Sequence, residues 1–258
     1  MSLNPALASP SSPVIITGGA SGIGLASAHA LAAVGRPVAL WDIDDSKGAE
    51  AARAITAEHG TTATNIAIDL RDLGGIEAAL AATREAIGAP GGLVHAAGVV
   101  DTASIDGLTA ESWDSGIAIH LRSLAFIVQA IRQDLAAQPG SAIVAIASIN
   151  ATLGNALNPI YSAAKGGILS LVRSMADRLS ADGIRINSVS PGQILTPMMR
   201  PAVEAMPEGY FEKRILLGRL GEPEEVGRVV RFLLSDEASY ITASEIVVDG
   251  GNISSQRG

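Results

Sequence analysis

The feature that constrains this chain most is a repeating alternation. Short runs of β-branched residues are each followed by a longer amphipathic segment rich in Ala and Leu. That pattern fits a parallel sheet whose crossovers are helices covering both faces. Strands are expected over 14–17, 37–41, 64–68, 93–96, 142–147, 185–190 and 245–248, and helices over 22–34, 45–59, 72–87, 110–137, 159–181 and 223–234. Pro37 has no N–H for a central ladder, so it can only begin its strand. Gly35, Gly60, Gly88 and Gly183 stand where helices should stop.

Seven strands with six connections define the fold class as α/β. The expectation is a single doubly wound Rossmann-type domain over 14–258, with a seven-stranded parallel sheet flanked by helices. Residues 1–13, rich in Ser, Pro and Ala, read as a flexible N-terminal arm, and they lack the basic and apolar regions of a secretory signal. The long stretch without clear periodicity is 193–221. It follows the sixth strand, and ligands in such sheets bind beyond the carboxyl ends of the strands, so it reads as a substrate lid.

Composition narrows the function classes. Of 258 residues 48% are hydrophobic and 17% charged, enough for one well-buried core, and with only 3% aromatic that core must rest on Ala, Val, Ile and Leu. A formal charge of -8 without a basic run argues against nucleic-acid binding. The absence of cysteine excludes disulfides, thiolate nucleophiles and Cys-based metal sites. No apolar stretch reaches the roughly 18–20 residues of a membrane span. A soluble cytoplasmic protein, with no membrane or nucleic-acid partner, is expected. His29 and His59 occupy ordinary helical positions without a partner at metal spacing, so no metal site is expected.

Three motifs carry chemistry. Thr17-Gly-Gly-Ala-Ser-Gly-Ile-Gly24 joins the first strand to the first helix. Glycines there permit a tight turn and let a pyrophosphate reach the backbone, while the helix N-terminus supplies N–H groups. The spacing Gly18-x3-Gly22-x-Gly24 differs from the G-x-G-x-x-G fingerprint, and an ordinary strand-to-helix turn is the bland alternative. Asp42 ends the second strand, where an acid accepts the ribose hydroxyls of NAD and repels the 2′-phosphate of NADP. Its alternative is a helix cap or surface acid. Tyr161-Ser-Ala-Ala-Lys165 puts a phenol and an ammonium on one helical face. A nearby cation favours phenolate and makes the tyrosine a usable base. Such pairs also occur on surfaces; Ser148, just past the fifth strand, points to catalysis because its hydroxyl can hold the oxygen that Tyr161 protonates or deprotonates.

Together these residues resemble the short-chain dehydrogenase/reductase family over roughly 14–251. Thr17-Gly18-x3-Gly22-Ile23-Gly24, with Ser21, is similar to the family's cofactor loop. Ser148 and Tyr161-x-x-x-Lys165 resemble its catalytic residues. Pro191-Gly-Gln-Ile-Leu-Thr-Pro-Met198 resembles the segment gripping the nicotinamide through the Ile194 backbone and Thr196. Asp69-Leu70 matches the adenine contact. His95-Ala96-Ala97-Gly98 stands where the family has Asn-Asn-Ala-Gly, which implies a structural role for His95. His120 stands where the family places a tetrad Asn that holds a water through its main-chain carbonyl.

The resemblance implies an NAD-linked enzyme acting on a small-molecule secondary alcohol or ketone, with Tyr161 as acid/base, Lys165 clasping the nicotinamide ribose, and a homotetrameric assembly. Ser148, Asn150, Leu153, Asn155, Tyr161, Gln193 and the 198–206 region are the expected substrate-facing residues. Asp101, Asp106 and Asp114 are expected to be solvated. Two rivals remain: a 3-oxoacyl reductase using NADP, disfavoured by Asp42 and by Ser21 where such enzymes carry a base, and a catalytically silent nucleotide-binding protein.

Overall fold

A computed structural model describes residues 7–254. In chain order the elements are β1 (Val14–Thr17), α1 (Gly22–Ala32), β2 (Val38–Asp42), α2 (Asp45–His59), β3 (Ala63–Ala67), α3 (Ile76–Ile87), β4 (Gly92–His95), α4 (Ala110–Ile117), α5 (Ser123–Ala137), β5 (Ala142–Ile146), α6 (Asn150–Leu153), α7 (Pro159–Ser180), β6 (Arg185–Pro191), α8 (Arg200–Ala205), α9 (Pro223–Leu233) and β7 (Glu245–Val248). The seven strands form one parallel sheet in the order β3-β2-β1-β4-β5-β6-β7. This is the Rossmann-type architecture expected from the alternation, with every expected strand found within a residue or so of its place. The order reverses between β1 and β4, which opens a crevice at their carboxyl ends.

The strands of the sheet's middle are buried on both faces, as a helix-covered parallel sheet requires. Alternate residues feed two cores. Ile15, Trp41, Leu93 and Ile143 join α3, α5 and α7 on one side; Ile16, Leu40, Val94 and Val144 join α1, α2 and α9 on the other. Ala and Gly let these layers approach closely: a Cβ on Gly227 of α9 would lie 2.7 Å from the Ala26 carbonyl oxygen of α1. Gly35, Gly60, Gly88 and Gly183 all have positive φ. At Gly60 the left-handed conformation ends α2 and lets its N–H donate to the Thr56 carbonyl.

Four expectations need correction. The segment 110–137 is not one helix: a π turn over Ala118–Arg122 separates α4 from α5, with Ser123 N–H donating to the Ala118 carbonyl. The helix expected from 72 begins as a 3-10 turn, Leu73–Gly75, because the Asp72 carboxylate accepts from Gly74 N–H and caps it there. The 193–221 segment contains α8 and is not uniformly irregular. Of the N-terminal arm, residues 1–6 lie outside the described residues, whereas 9–12 are tied down. Ser9 accepts from Asp236 N–H through its carbonyl, and Ser12 accepts from the buried Arg36 guanidinium. Burial lowers the Arg36 pKa to about 10, the nearby Asp236 opposing that shift.

Among the described residues no helix is long and apolar enough to cross a membrane.

Candidate active site

Above the crevice lies a cavity of about 460 Å³. Its floor is the turn from β1 into α1. A Cβ on Gly24 would stand 2.1 Å from the Gly18 carbonyl oxygen, and one on Gly18 2.8 Å from Ala97 Cα, so neither position admits a larger residue. Gly18, Ser21, Gly22, Ile23 and Gly24 all line the cavity, as do Ala96, Ala97 and Gly98 beyond β4. Thr17 ties the two turns together, its hydroxyl oxygen accepting from the N–H groups of Ala96 and Ala97.

Asp42 stands at one end of the cavity. Its two carboxylate oxygens accept from Ala20 N–H at 3.0 Å and Asp44 N–H at 3.1 Å, which fixes its orientation. The helix cap that might have claimed it is Asp44, which accepts from Lys47 N–H. Ile43 beside it is 65% exposed and lines the cavity. Asp69 and Leu70 also line this end, but Asp69 is engaged in a forked pair with Arg71. Arg71 lines the cavity too, and its approach was not anticipated.

Tyr161 and Lys165, one turn apart on α7, face the other end, with Thr196, Pro197 and Met198 opposite. Lys165 is 4% exposed and donates to the Ile146 carbonyl at the end of β5 at 2.6 Å. Burial lowers its pKa to about 7. Its Nζ lies 5.5 Å from the Tyr161 ring centroid. For Tyr161, burial raises the phenol pKa, and a hydrogen bond with Ser148 opposes that. The Lys165 ammonium is directed at the Ile146 carbonyl.

Asp101 was expected to be solvated and is not a bystander. Its carboxylate accepts from the N–H groups of Ile160 and Tyr161, capping the helix that carries the tyrosine. Its carbonyl accepts from the Asn158 amide. Asp106 and Asp114 are exposed, as expected.

The two departures from the family's pattern form one hydrogen-bonded chain. Thr17 Oγ1 is 3.0 Å from His95 Nδ1, and His95 Nε2 is 3.1 Å from the His120 carbonyl. With Thr17 donating, His95 donates onward to that carbonyl, a satisfied structural histidine. The His120 ring sits edge-on to Tyr161 at 5.5 Å, and its Nε2 lies 2.7 Å from the Val99 carbonyl. The same Nε2 lies 3.1 Å from the Val99 N–H, and Nδ1 is buried without a partner among the described residues. Burial first, and then the charge of Lys165, lower both histidines to pKa values of about 3.

Other site residues are less well gathered. Pro191 and Ile194 are not among the residues that line the cavity, and the Ile194 carbonyl accepts from Thr196 N–H. The Ser148 hydroxyl accepts from Asn150 N–H, so Asn150 meets it through backbone. Leu153 is 60% exposed. The Asn155 amide oxygen accepts from Leu157 N–H, and the Gln193 amide oxygen accepts from Asn252 at 2.6 Å. Each bond engages only the amide oxygen and leaves the amide N–H groups to meet a substrate. His29 and His59, thought to lack partners, lie 3.0 Å apart between ring nitrogens.

Glycines whose Cβ positions are filled by backbone, a fixed carboxylate at one end and a Tyr–Lys pair at the other suit a nicotinamide dinucleotide lying along the strand ends. The family model described as enoyl-(acyl carrier protein) reductase matches residues 18–252. A probable galactose dehydrogenase of Rhizobium meliloti is 35% identical over 247 residues, covering 92% of this chain and 93% of its own. An L-rhamnose 1-dehydrogenase (NAD(P)(+)) of Azotobacter vinelandii is 35% identical over 243 residues, with 92% and 95% covered. The L-sorbose reductase of Gluconobacter frateurii, solved with NADPH and L-sorbose, superimposes with a TM-score of 0.88 at 28% identity, covering 95% of this chain and 97% of that one. The fold and site define a nucleotide-dependent oxidoreductase. The chain belongs to the short-chain dehydrogenase/reductase family.

Proposed function

We propose that this protein is a cytoplasmic NAD-dependent oxidoreductase that interconverts a secondary alcohol and its ketone, with Tyr161 as acid/base. The observation that carries the reading is the single cavity shared by Asp42, the glycine turn, Tyr161 and Lys165. Named relatives that act on sugars and sugar alcohols support a hydroxylated substrate.

Gly18–Gly24, Ala96–Gly98, Asp69, Leu70, Lys165 and Thr196 would hold the dinucleotide, with Asp42 on its ribose. When bound, it supplies the hydride acceptor or donor. In oxidation Tyr161 takes the alcohol proton, and in reduction it returns one. Ser148 holds both the phenol and the substrate oxygen, and its hydrogen bond to the phenol opposes the burial that raises the Tyr161 pKa. Lys165 completes the pair beneath the ring. The segment 193–221, with Met198 exposed at the cavity rim, closes over the substrate as a lid. Residues 14–258 act as one oxidoreductase unit.

The cofactor preference follows from charge. Asp42 is held by two N–H groups, and neither Ser21 nor Ile43 brings a cation to offset a 2′-phosphate beside it. The kcat/KM ratio for NAD over NADP should exceed tenfold, a difference of about 1.4 kcal/mol. Equal or better use of NADP would remove the assignment of Asp42 and favour the NADP-linked reading, which the solved relative with bound NADPH keeps in view.

A further inference from the structure

Away from the cavity, α1 and α2 end side by side. His29 occupies the last turn of α1, and Glu58 and His59 close α2. The two ends are pinned: the Thr61 hydroxyl, just beyond α2, donates to the Ala32 carbonyl of α1 at 2.8 Å. This fixes three donors around one point. His29 Nδ1 is 3.0 Å from His59 Nε2 and 3.4 Å from one Glu58 oxygen, and His59 Nε2 is 3.7 Å from the other. Two ligands on a tetrahedral ion with bonds of 2.0–2.1 Å are separated by about 3.3 Å. The 3.0 Å between the imidazoles and the 3.4 Å from His29 to Glu58 Oε2 lie on either side of that value, and one ligand atom from each residue falls within 4.8 Å of the others.

From this geometry we propose that His29, Glu58 and His59 bind a divalent transition-metal ion of the zinc class. Two imidazoles and one carboxylate select such an ion over Mg²⁺ or Ca²⁺, which take oxygen-rich sets. The carbonyl ends of two helices converge here, and their partial negative charge favours a cation. No Lys or Arg among the described residues pairs with Glu58, so its charge is available.

In the metal-free arrangement one ring nitrogen donates to the other. For both to ligate, that donor moves its proton to its second nitrogen, a tautomer that neutral imidazole offers. Water completes the fourth position. His29 lies seven residues along α1 from Gly22, about 10 Å from the cofactor turn. The ion therefore staples two crossover helices and takes no part in the chemistry at Tyr161.

The test is calorimetric titration of the full chain with Zn²⁺ after chelator treatment and dialysis, paired with Co²⁺ titration read by its visible absorption. One equivalent should bind, and Co²⁺ should give the intense absorption of a four-coordinate site. Glu58 is the most exposed of the three side chains, so Glu58→Gln leaves the fold intact and should raise Kd at least about tenfold. His29→Gln should abolish stoichiometric binding. The chain has four histidines, and the other two are sequestered at 1% exposure, so a surviving site could not be assigned to them without unfolding. A Kd weaker than about 0.1 mM, or binding unchanged in either variant, would overturn the proposal.

Discussion

His120 shows how much one side chain can hide from a reading by position. That a histidine stood where relatives place an amide was legible; the bond to the Val99 carbonyl and the burial that keeps the ring neutral were not. The ring also explains a neighbour, since a Cβ on Gly98 would lie 2.3 Å from its Cε1. With a pKa of about 3, His120 gains a proton only far below neutral pH. It is thus uncharged through the working range and contributes no ionisation there. His120→Asn should retain at least about a third of kcat and leave the pH–rate profile above pH 5 unchanged. Loss of a limb from that profile would assign the ring a proton-relay role. Tyr161, Lys165 and Ser148 were legible because a helix repeats every 3.6 residues and the strand end fixes the serine. Asp101 on α7, Arg71 on Asp69 and Asn252 on Gln193 were not, because each pairs groups brought together by folding or by a local turn that no motif marks.

Elements were legible where periodicity alone decides them. Most strands announce themselves by β-branched residues, and α2 and α7 by apolar stripes. The π turn between α4 and α5 does not, because one extra residue in a hydrogen-bonded ring barely alters the apolar pattern. Yet it is this turn that carries His120 and presents its carbonyl to His95. Helix α7 has its own hidden determinant. It starts with Pro159 and has no cap from Asn158; its first free N–H groups are satisfied by Asp101 from another loop. Asp101→Ala should cost about 1 kcal/mol of stability, as loss of a helix cap does. Because Tyr161 sits in that first turn, kcat should fall as well, while cofactor affinity changes little. Thermal melting, steady-state kinetics and cofactor titration of the variant together check this. An unchanged kcat would mean that the rest of α7 positions Tyr161 unaided.

At the scale of the whole molecule, Phe126 on α5 is 44% exposed. We expect a homotetramer that covers it by two-fold symmetric pairing. Light scattering across dilution should give four times the 26.2 kDa chain mass; a monomer at every concentration would contradict it. The sheet's reversal at β1 and β4 is what gathers the glycine turn, Asp42 and the Tyr161–Lys165 helix around one cavity. Hydride transfer with Tyr161 moving the proton follows from that gathering. The most direct measurement compares wild type with Tyr161→Phe, following NADH formation over a panel of polyols and sugars while NAD binding is titrated separately. The wild type should turn over, the variant should lose roughly 10²–10⁴-fold or more in kcat, and its NAD affinity should stay within a few-fold of wild type. A variant retaining more than about a tenth of kcat would contradict that chemistry, as would a wild type that binds NAD yet turns over no alcohol or ketone.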